Sequence, residues 1–453
     1  MLHTLLAILL LEGFVTISVE ILTIRQLLPF FGGSVVITSI IIGVFLLFLA
    51  LGYWRGGMHP NDFYKKLSRN FMVSFIWIGI GLNYSFIGSF FHWTINQLSL
   101  PFLASLTLYL LLILAPVVFW LGQTIPLTTN LFNQEQRVSR ISGKALFLST
   151  LGSFSGALVT SLLLFQFAGV AWTVVVNCAL LFLLIILLKP QSGLSLSTLI
   201  VLGLILYFIK LLNVNYEKQF FKLTNNYGNY EIITTQQARL LRINLSGSSM
   251  ITHKKEGFAY IEFIRHFLFN QLHLQHKKIL VIGAGGFSLT AAGAKTNDVT
   301  YVDIDPQIKD LAEQHFLESK INGRFIGQDA RRYLHETQEQ FDVIVSDAYS
   351  HQQNIPASLL TADYFAQLSS HLKPSGLLVV NIIANPLFKN TFSKRVHNTI
   401  LSIFPFCNII PLDWSTLSNV IYICPMQTQE RVIYSDNLTG STFDFYRQLQ
   451  SSQ

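Results

Sequence analysis

The run "KKILVIGAGGFS", residues 277–288, closes an apolar stretch with Gly283, Gly285 and Gly286. Glycines there permit a tight turn and let backbone approach a ligand closely. Asp303 lies 20 residues beyond Gly283, at the end of the next apolar run, "VTYVD". A carboxylate at that place can accept hydrogen bonds from ribose hydroxyls. The glycine loop alone would serve equally as a plain strand-to-helix turn. Loop, spacing and strand order together point to a nucleoside site. Two more acids end apolar runs: Asp329 ends "RFIGQD" and Asp347 ends "VIVSD". Ligands of open α/β sheets bind at the carboxyl ends of the strands, so three such carboxylates are expected to face one crevice. The competing reading of Asp329 and Asp347 is that each caps the helix after it.

The elements that must position these residues follow an alternating pattern from residue 278. Strands fit "KILVIG", "VTYVDID", "GRFIGQD", "FDVIVSD" and "GLLVVNI", and helices fit 287–296, 306–318, 330–337 and 361–372. Alternation of this kind implies a mostly parallel sheet with helices on both faces. "CNIIPLDW" and "NVIYICPM" read as a closing pair of strands. Upstream, "YEIITTQ" and "RLLRINLSGSSMIT" read as short strands, with a turn signal at Ser246–Gly247, and a helix is expected around 257–273.

The chain of 453 residues is 51% apolar and only 12% charged, which is too few charges for an ordinary soluble protein. Seven apolar segments of near-spanning length precede residue 213: 3–24, 35–54, 71–91, 102–121, 144–166, 170–188 and 194–212. Residues 1–213 hold ten Lys or Arg against four acids, whereas the remainder holds 21 basic and 20 acidic residues. A basic excess confined to the loops of an apolar half orients a membrane protein and is not a nucleic-acid footprint. Residues 1–213 are therefore read as a multi-pass transmembrane domain of about seven spans, the first retained and not a cleaved signal. Residues 214–252 are read as linker and small β subdomain, 253–430 as a Rossmann-like domain and 431–453 as a tail. In the fifth segment Gly152 and Gly156 have the small-xxx-small spacing of a helix-packing face. The cysteines, Cys178, Cys407 and Cys424, have neither metal nor redox spacing and are expected to form no disulfide framework.

The texts "SGSSMITHKKEGFAYIEFI", "ILVIGAGGFS", "YVDIDPQI", "GQDARRYL", "FDVIVSDAYS" and "IPASLLTADYFAQLSSHLKPSGLLVVN" resemble the spermidine synthase (polyamine aminopropyltransferase) family over about residues 227–425. "EGFVTISVEILTIRQLLPFFGGS", "IGVFLLFLALGYWRGG", "GQTIPL" and "GKALFLSTLGSFSGALV" are similar to bacterial membrane proteins that fuse seven helices to such a domain. The resemblance implies an α-helical transmembrane bundle followed by a methyltransferase- or spermidine-synthase-type α/β domain with a small amino-terminal β-hairpin subdomain. It implies that Gly283, Gly285 and Gly286 hold decarboxylated S-adenosylmethionine, or S-adenosylmethionine, as a co-substrate; none is expected to stay bound permanently. Asp303 would then bind the ribose, Asp329 the adenine, and Tyr260 and Glu262 of "YIE" the amine, with Asp347 as general base. No metal is needed. The implied partners are a small amine or polyamine and the bilayer, and a homo-oligomer is left open. Alternatives on the same sequence are a nucleoside- or amine-sensing membrane protein without catalysis, and a methyltransferase.

The pattern departs from the family at four places. Gly286 and Ser350 stand where the family carries aspartates, Ile261 stands for the His of its "YHE" motif, and Met250 for a Gln. The nucleoside half of the site thus looks present and the polyamine half depleted. Within the membrane, Glu12, Thr16 and Glu20 share one helical face, either as a cation path or as partners of Arg25 or a loop base. Loops 55–70 and 137–144 are basic and expected in the cytoplasm, and a strict count of the three later segments then puts the soluble domain outside. A cytosolic nucleoside argues for the inner face, which is the side favoured at this stage, with one late segment not spanning.

Overall fold

The computed structural model describes residues 2–426, apart from 33–34, 60, 133–137, 295 and 350–355. Helices α1 (Leu2–Phe31), α2 (Val35–Gly57), α3 (Phe63–Gly81) and α4 (Tyr84–Gln97) are followed by α5 (Phe102–Thr129), α6 (Val138–Ala168), α7 (Val170–Ser192) and α8 (Leu196–Phe220). Six of these are long and apolar enough to cross a membrane, and a seventh span results if α3 and α4, bent by 65° at their junction, count as one. The third apolar segment is therefore not one straight helix. Asn83 breaks it by accepting the backbone N–H of Ser85 at 2.8 Å, which starts α4 in a new direction.

Helix α1 is the axis of the bundle. It lies beside α6, and Gly13, Gly152 and Gly156 let the two backbones touch: a Cβ on Gly152 would stand 2.0 Å from the Leu10 carbonyl oxygen. Ser18 accepts hydrogen bonds from Thr160 at 2.7 Å and from Asn177 at 2.8 Å, which ties α1 to α6 and α7. Glu12 is buried and accepts from Thr16 at 2.7 Å. Neither Glu12 nor Glu20 pairs with Arg25, which reaches out of the bundle into the soluble part.

No loose linker follows. Helix α8 runs to Phe220, and strand β1 (Leu223–Thr224) begins three residues later. It opens a four-stranded antiparallel sheet with β2 (Asn229–Thr234), β3 (Ala238–Ile243) and β4 (Ser246–Thr252). The β3–β4 turn is made by Asn244 and Leu245, both at positive φ, and Ser246–Gly247 belong to the strand. Two-residue hairpin turns need positive φ at both central positions, and Asn tolerates it.

The larger sheet has β5 (Lys278–Ile282), β6 (Asp298–Asp303), β7 (Arg324–Gly327), β8 (Phe341–Ser346), β9 (Leu372–Ala384), β10 (Asn408–Pro411) and β11 (Ser418–Pro425). Its order is β10-β11-β9-β8-β5-β6-β7, parallel from β9 to β7 and antiparallel at β10 and β11. Helices α9 (Ala259–Arg265), α10 (Ile308–Leu311), α11 (Ala330–Glu336), α12 (Ala362–Ser370) and α13 (Thr391–Ile403) accompany the strands. One apolar core lies on each face. The helix expected over 287–296 is reduced to a single turn, Ser288–Thr290; Gly293 at φ +99° lies just beyond it. Helix α13 was not anticipated, although Asn390 caps it by accepting from Ser393 N at 2.8 Å.

The expectation of no disulfide fails: Cys407 and Cys424 are bonded. Asn408 pairs with Ile423 in the β10–β11 ladder, which puts residues 407 and 424 opposite each other one step further on. Spacing along the chain carries no trace of that register.

The tight α1–α6 contact sets a first expectation. Gly152→Leu forces the helices apart and destabilises the bundle by on the order of 1–3 kcal/mol, the scale of overpacking. Thermal unfolding in detergent reads it, and an unchanged Tm would show that the contact is not close.

Candidate nucleoside and amine site

Strand β5 lies between β6 and β8, so the strand order reverses at β5. Side-by-side loops diverge from such a point and leave a crevice at the carboxyl ends. A cavity of about 680 Å³ opens there, lined by residues that include Gly283, Gly285, Asp303, Asp329, Asp347 and Tyr260. Gly283 is needed for the two central strand ends to meet. It sits at φ +89°, and a Cβ on it would stand 2.3 Å from the Asp347 carbonyl oxygen.

Asp303 is half-buried beside the glycine loop. Its carboxylate accepts from Ala284 N at 2.9 Å and from Asp305 N at 3.0 Å. Burial pushes its pKa up, opposed by these backbone bonds. Each oxygen keeps a lone pair for a ligand hydroxyl. Asp329 caps α11, accepting from Arg332 N at 3.0 Å, and also lines the cavity, so both readings of it hold together.

Asp347 is half-buried, and desolvation raises its pKa to about 6, opposed by hydrogen bonds from Asn381 and Tyr260. Asn381 Nδ2 donates to it at 2.8 Å. Burial, and the nearby Asp347, hold the Tyr260 and Tyr349 hydroxyls well above the usual phenol range, so both stay protonated. Tyr349 donates to the Asn381 carbonyl at 3.0 Å and accepts from Ile383 N at 2.7 Å, which locks β9 against the strand end that carries Asp347. Asn381 and Tyr349 escaped sequence reading. The signal was a lone polar residue inside "GLLVVNII".

Glu262 takes another place. It pairs with Arg265 at 2.8 Å and accepts from Gly257 N, and it is not among the cavity-lining residues. Arg265 also donates to the carbonyls of Ser288 and Leu289, so the pair braces the turn behind the glycine loop. Gly286 likewise faces away: its N–H donates to Ser249 Oγ at 2.8 Å, and a Cβ on it would stand 2.3 Å from the Phe316 ring. Ser350 lies outside the described residues. Among the described residues the cavity carboxylates are thus Asp303, Asp329 and Asp347, and the surrounding wall includes Phe258, Tyr260, Ile261, Tyr349, Leu359 and Ile383.

The membrane bundle contributes directly. Leu28 of α1 lines the same cavity. Three residues earlier, Arg25 Nε donates to Asn225 O at 2.5 Å and its Nη2 to Asn229 Oδ1 at 2.8 Å. Asn225 Nδ2 in turn donates to Asp305 Oδ2 at 2.8 Å, where Tyr230 also donates its hydroxyl. Asp305 N donates to Asp303, so a continuous hydrogen-bonded path joins α1 to the Asp303 carboxylate in the cavity.

The family described as spermine/spermidine synthase domain matches residues 257–433. The carboxy-terminal part of this chain is a domain of the spermidine synthase family. A polyamine aminopropyltransferase of Leptospira interrogans is 24% identical over 409 residues, which cover 82% of this chain and 77% of that protein. One of Oceanobacillus iheyensis is 23% identical over 369 residues, 75% of this chain and 70% of that protein. A probable polyamine aminopropyl transferase of Bifidobacterium longum is 29% identical over 143 residues, 31% of either chain. The crystal structure of a probable spermidine synthase from Corynebacterium glutamicum matches 48% of this chain and 82% of its own, with a TM-score of 0.39 and 20% identity. The two long relatives match beyond the synthase domain into the helical half, as the resemblance of "EGFVTISVEILTIRQLLPFFGGS" implies.

Two outcomes are expected from this geometry. Asp303→Ala weakens binding of adenosine thioethers by on the order of 1.5–3 kcal/mol, the scale of a hydrogen bond to a charged group, as read by calorimetry. Gly286→Asp does not restore a cavity carboxylate; it clashes with Phe316 and lowers Tm without improving amine affinity. Tighter putrescine binding by that variant would contradict the placement of Gly286.

Proposed function

We propose that the synthase domain transfers an aminopropyl group from decarboxylated S-adenosylmethionine to an amine. The amine lone pair attacks the carbon beside the sulfonium, the C–S bond breaks with its electrons going to sulfur, and methylthioadenosine leaves. The surplus proton on the amine passes to Asp347. The observation that carries this reading is the desolvated Asp347 carboxylate, set by Tyr260 and Asn381 directly across from the Gly283 loop. The glycine loop, Asp303 and Asp329 would hold the nucleoside.

The acceptor is expected to carry one amine. A polyamine brings two or more positive charges into the crevice, and a buried ammonium without a partner is strongly unfavourable. Glu262 is occupied by Arg265, Gly286 has no room for a carboxylate, and aromatic and aliphatic side chains line much of the wall. A second reading, nucleoside sensing by the bundle, draws on the hydrogen-bonded path from Arg25 to Asp303.

The assay is methylthioadenosine release from donor and a panel of amines. Asp347→Asn keeps nucleoside affinity and lowers turnover by roughly a hundredfold to ten-thousandfold, the usual worth of a positioned base. Monoamines with apolar tails outperform putrescine. In the wild type kcat/KM rises with pH through about 6 as Asp347 ionises, and the variant loses that limb. Stability runs the other way. The folded pKa lies above the ordinary aspartate value of 3.8, so the stability Asp347 contributes is present below that value and lost as pH rises through about 6. Asp347→Asn is therefore more stable than wild type at pH 8 and loses that advantage at pH 4. Donor binding without product from any amine would reject the transferase in favour of sensing.

A further inference from the structure

We infer that the synthase domain and its cavity stand on the side of the membrane away from the cytoplasm. Three observations converge. The first is the path of the helices. The end of α1, the α3–α4 junction, the start of α7 and the end of α8 all meet the small sheet: Arg25 bonds Asn225 and Asn229, Tyr84 donates to Asn229 Oδ1 at 3.4 Å, Val170 N donates to Thr224 Oγ1 at 3.3 Å, and Phe220 ends α8 three residues before β1. The other helix ends, at Gly57, Phe63, Thr129, Val138, Ser192 and Leu196, therefore lie on the opposite side. Helix pairing agrees. Leu10, Phe14 and Ser18 of α1 meet Gly152, Gly156 and Thr160 of α6 in that order, so those two run parallel. None of the late helices stops short: α6, α7 and α8 have 31, 23 and 25 residues and all qualify as spans.

The second observation is charge. Of the ten basic residues before 213, Arg137 lies outside the described residues, and Arg55, Lys65, Lys66, Arg69, Arg140, Lys144 and Lys189 belong to the ends remote from the synthase domain. The remaining two are spoken for: Arg25 is buried in the junction and Lys210 lies over the Trp172 ring. Lys and Arg flanking spans mark the cytoplasmic side. The third observation is the Cys407–Cys424 disulfide in the synthase domain, a bond that persists in oxidising compartments and is rare in the cytosol. Charge and redox chemistry are unrelated, and both give the same side.

This sidedness is independent of the proposed reaction and constrains it. The cavity draws its nucleoside and its amine from outside the cytoplasm. A sulfonium donor used here must be supplied by a step that makes or releases it on that side, and the thioether product is left there.

The test uses the full chain in intact cells and a membrane-impermeant maleimide. Cys178 is buried and the other two cysteines are bonded, so the parent protein is silent. Lys254→Cys on the exposed surface and Asn226→Cys at the cavity label in intact cells. Asn61→Cys, in the basic loop, labels only after permeabilisation. The reverse pattern overturns the inference. Alkylation of denatured protein from acid-quenched cells finds one free thiol, and three after reduction; three before reduction would also count against it. Added methylthioadenosine is expected to slow labelling of Asn226→Cys. Labelling without such protection would leave the sidedness standing and count against the nucleoside reading, so the two failures are separable.

Discussion

One buried guanidinium holds the two halves of the molecule together. Arg25 is only 4% exposed, and a charge so placed requires partners, because an unpaired one costs several kcal/mol. Its partners come from the far side of the junction, Asn225 and Asn229. Asn225, itself fully buried, spends its other groups on Asp305, Gln307 and the turn at Tyr227–Gly228. The bundle, the small sheet and the loop after β6 thus meet at one asparagine. Because Asp305 N also donates to Asp303, which accepts from Ala284 N, hydrogen bonds run from α1 to the glycine loop. The synthase domain is built onto its membrane anchor, with Leu28 as part of the cavity wall.

Charge balance explains how the site departs from a polyamine enzyme. Enclosure raises the cost of every ionised group, so each carboxylate in the crevice must be held by donors or matched by a ligand. Asp303 is held by backbone N–H groups, Asp329 by a helix terminus and Asp347 by Asn381 and Tyr260. The carboxylates that would neutralise a second ammonium have been replaced by packing: Phe316 and Ser249 occupy the space beside Gly286, and Arg265 retains Glu262. On the proposed function, what remains would suit one cationic centre flanked by apolar surface.

Much of this was legible in sequence where it depended on local pattern. Alternating apolar runs placed β5, β6, β8 and the carboxyl-end aspartates correctly, because strand period and glycine turns are short-range signals. Residues whose role depends on a distant neighbour were not. Glu262 reads as an amine ligand until Arg265 and the turn behind the glycine loop are seen to claim it. Gly286 reads as a lost function, yet its lack of a side chain is what allows Phe316 to pack there. Cys407 and Cys424 meet only through the β10–β11 register. The turn at Asn244–Leu245 was misplaced by two residues because Ser246–Gly247 carries an equally good local signal.

The helical half was read as spans from apolarity alone, and their directions emerge only from packing. Gly13, Gly152 and Gly156 bring α1 and α6 into contact along their length, which fixes that the basic start of α6 lies at the end of α1 remote from Arg25. From that contact the rest follows by connectivity: each later helix must return to or leave the synthase face in turn. The proposed sidedness answers the conflict between a basic-loop count and a cytosolic donor with a helix pair and a disulfide that sequence could not place. On the proposed sidedness the assumption of a cytosolic donor gives way, since reversing the bundle would put Arg55, Lys65, Lys66, Arg69, Arg140, Lys144 and Lys189 on the side opposite to the one that flanking Lys and Arg mark.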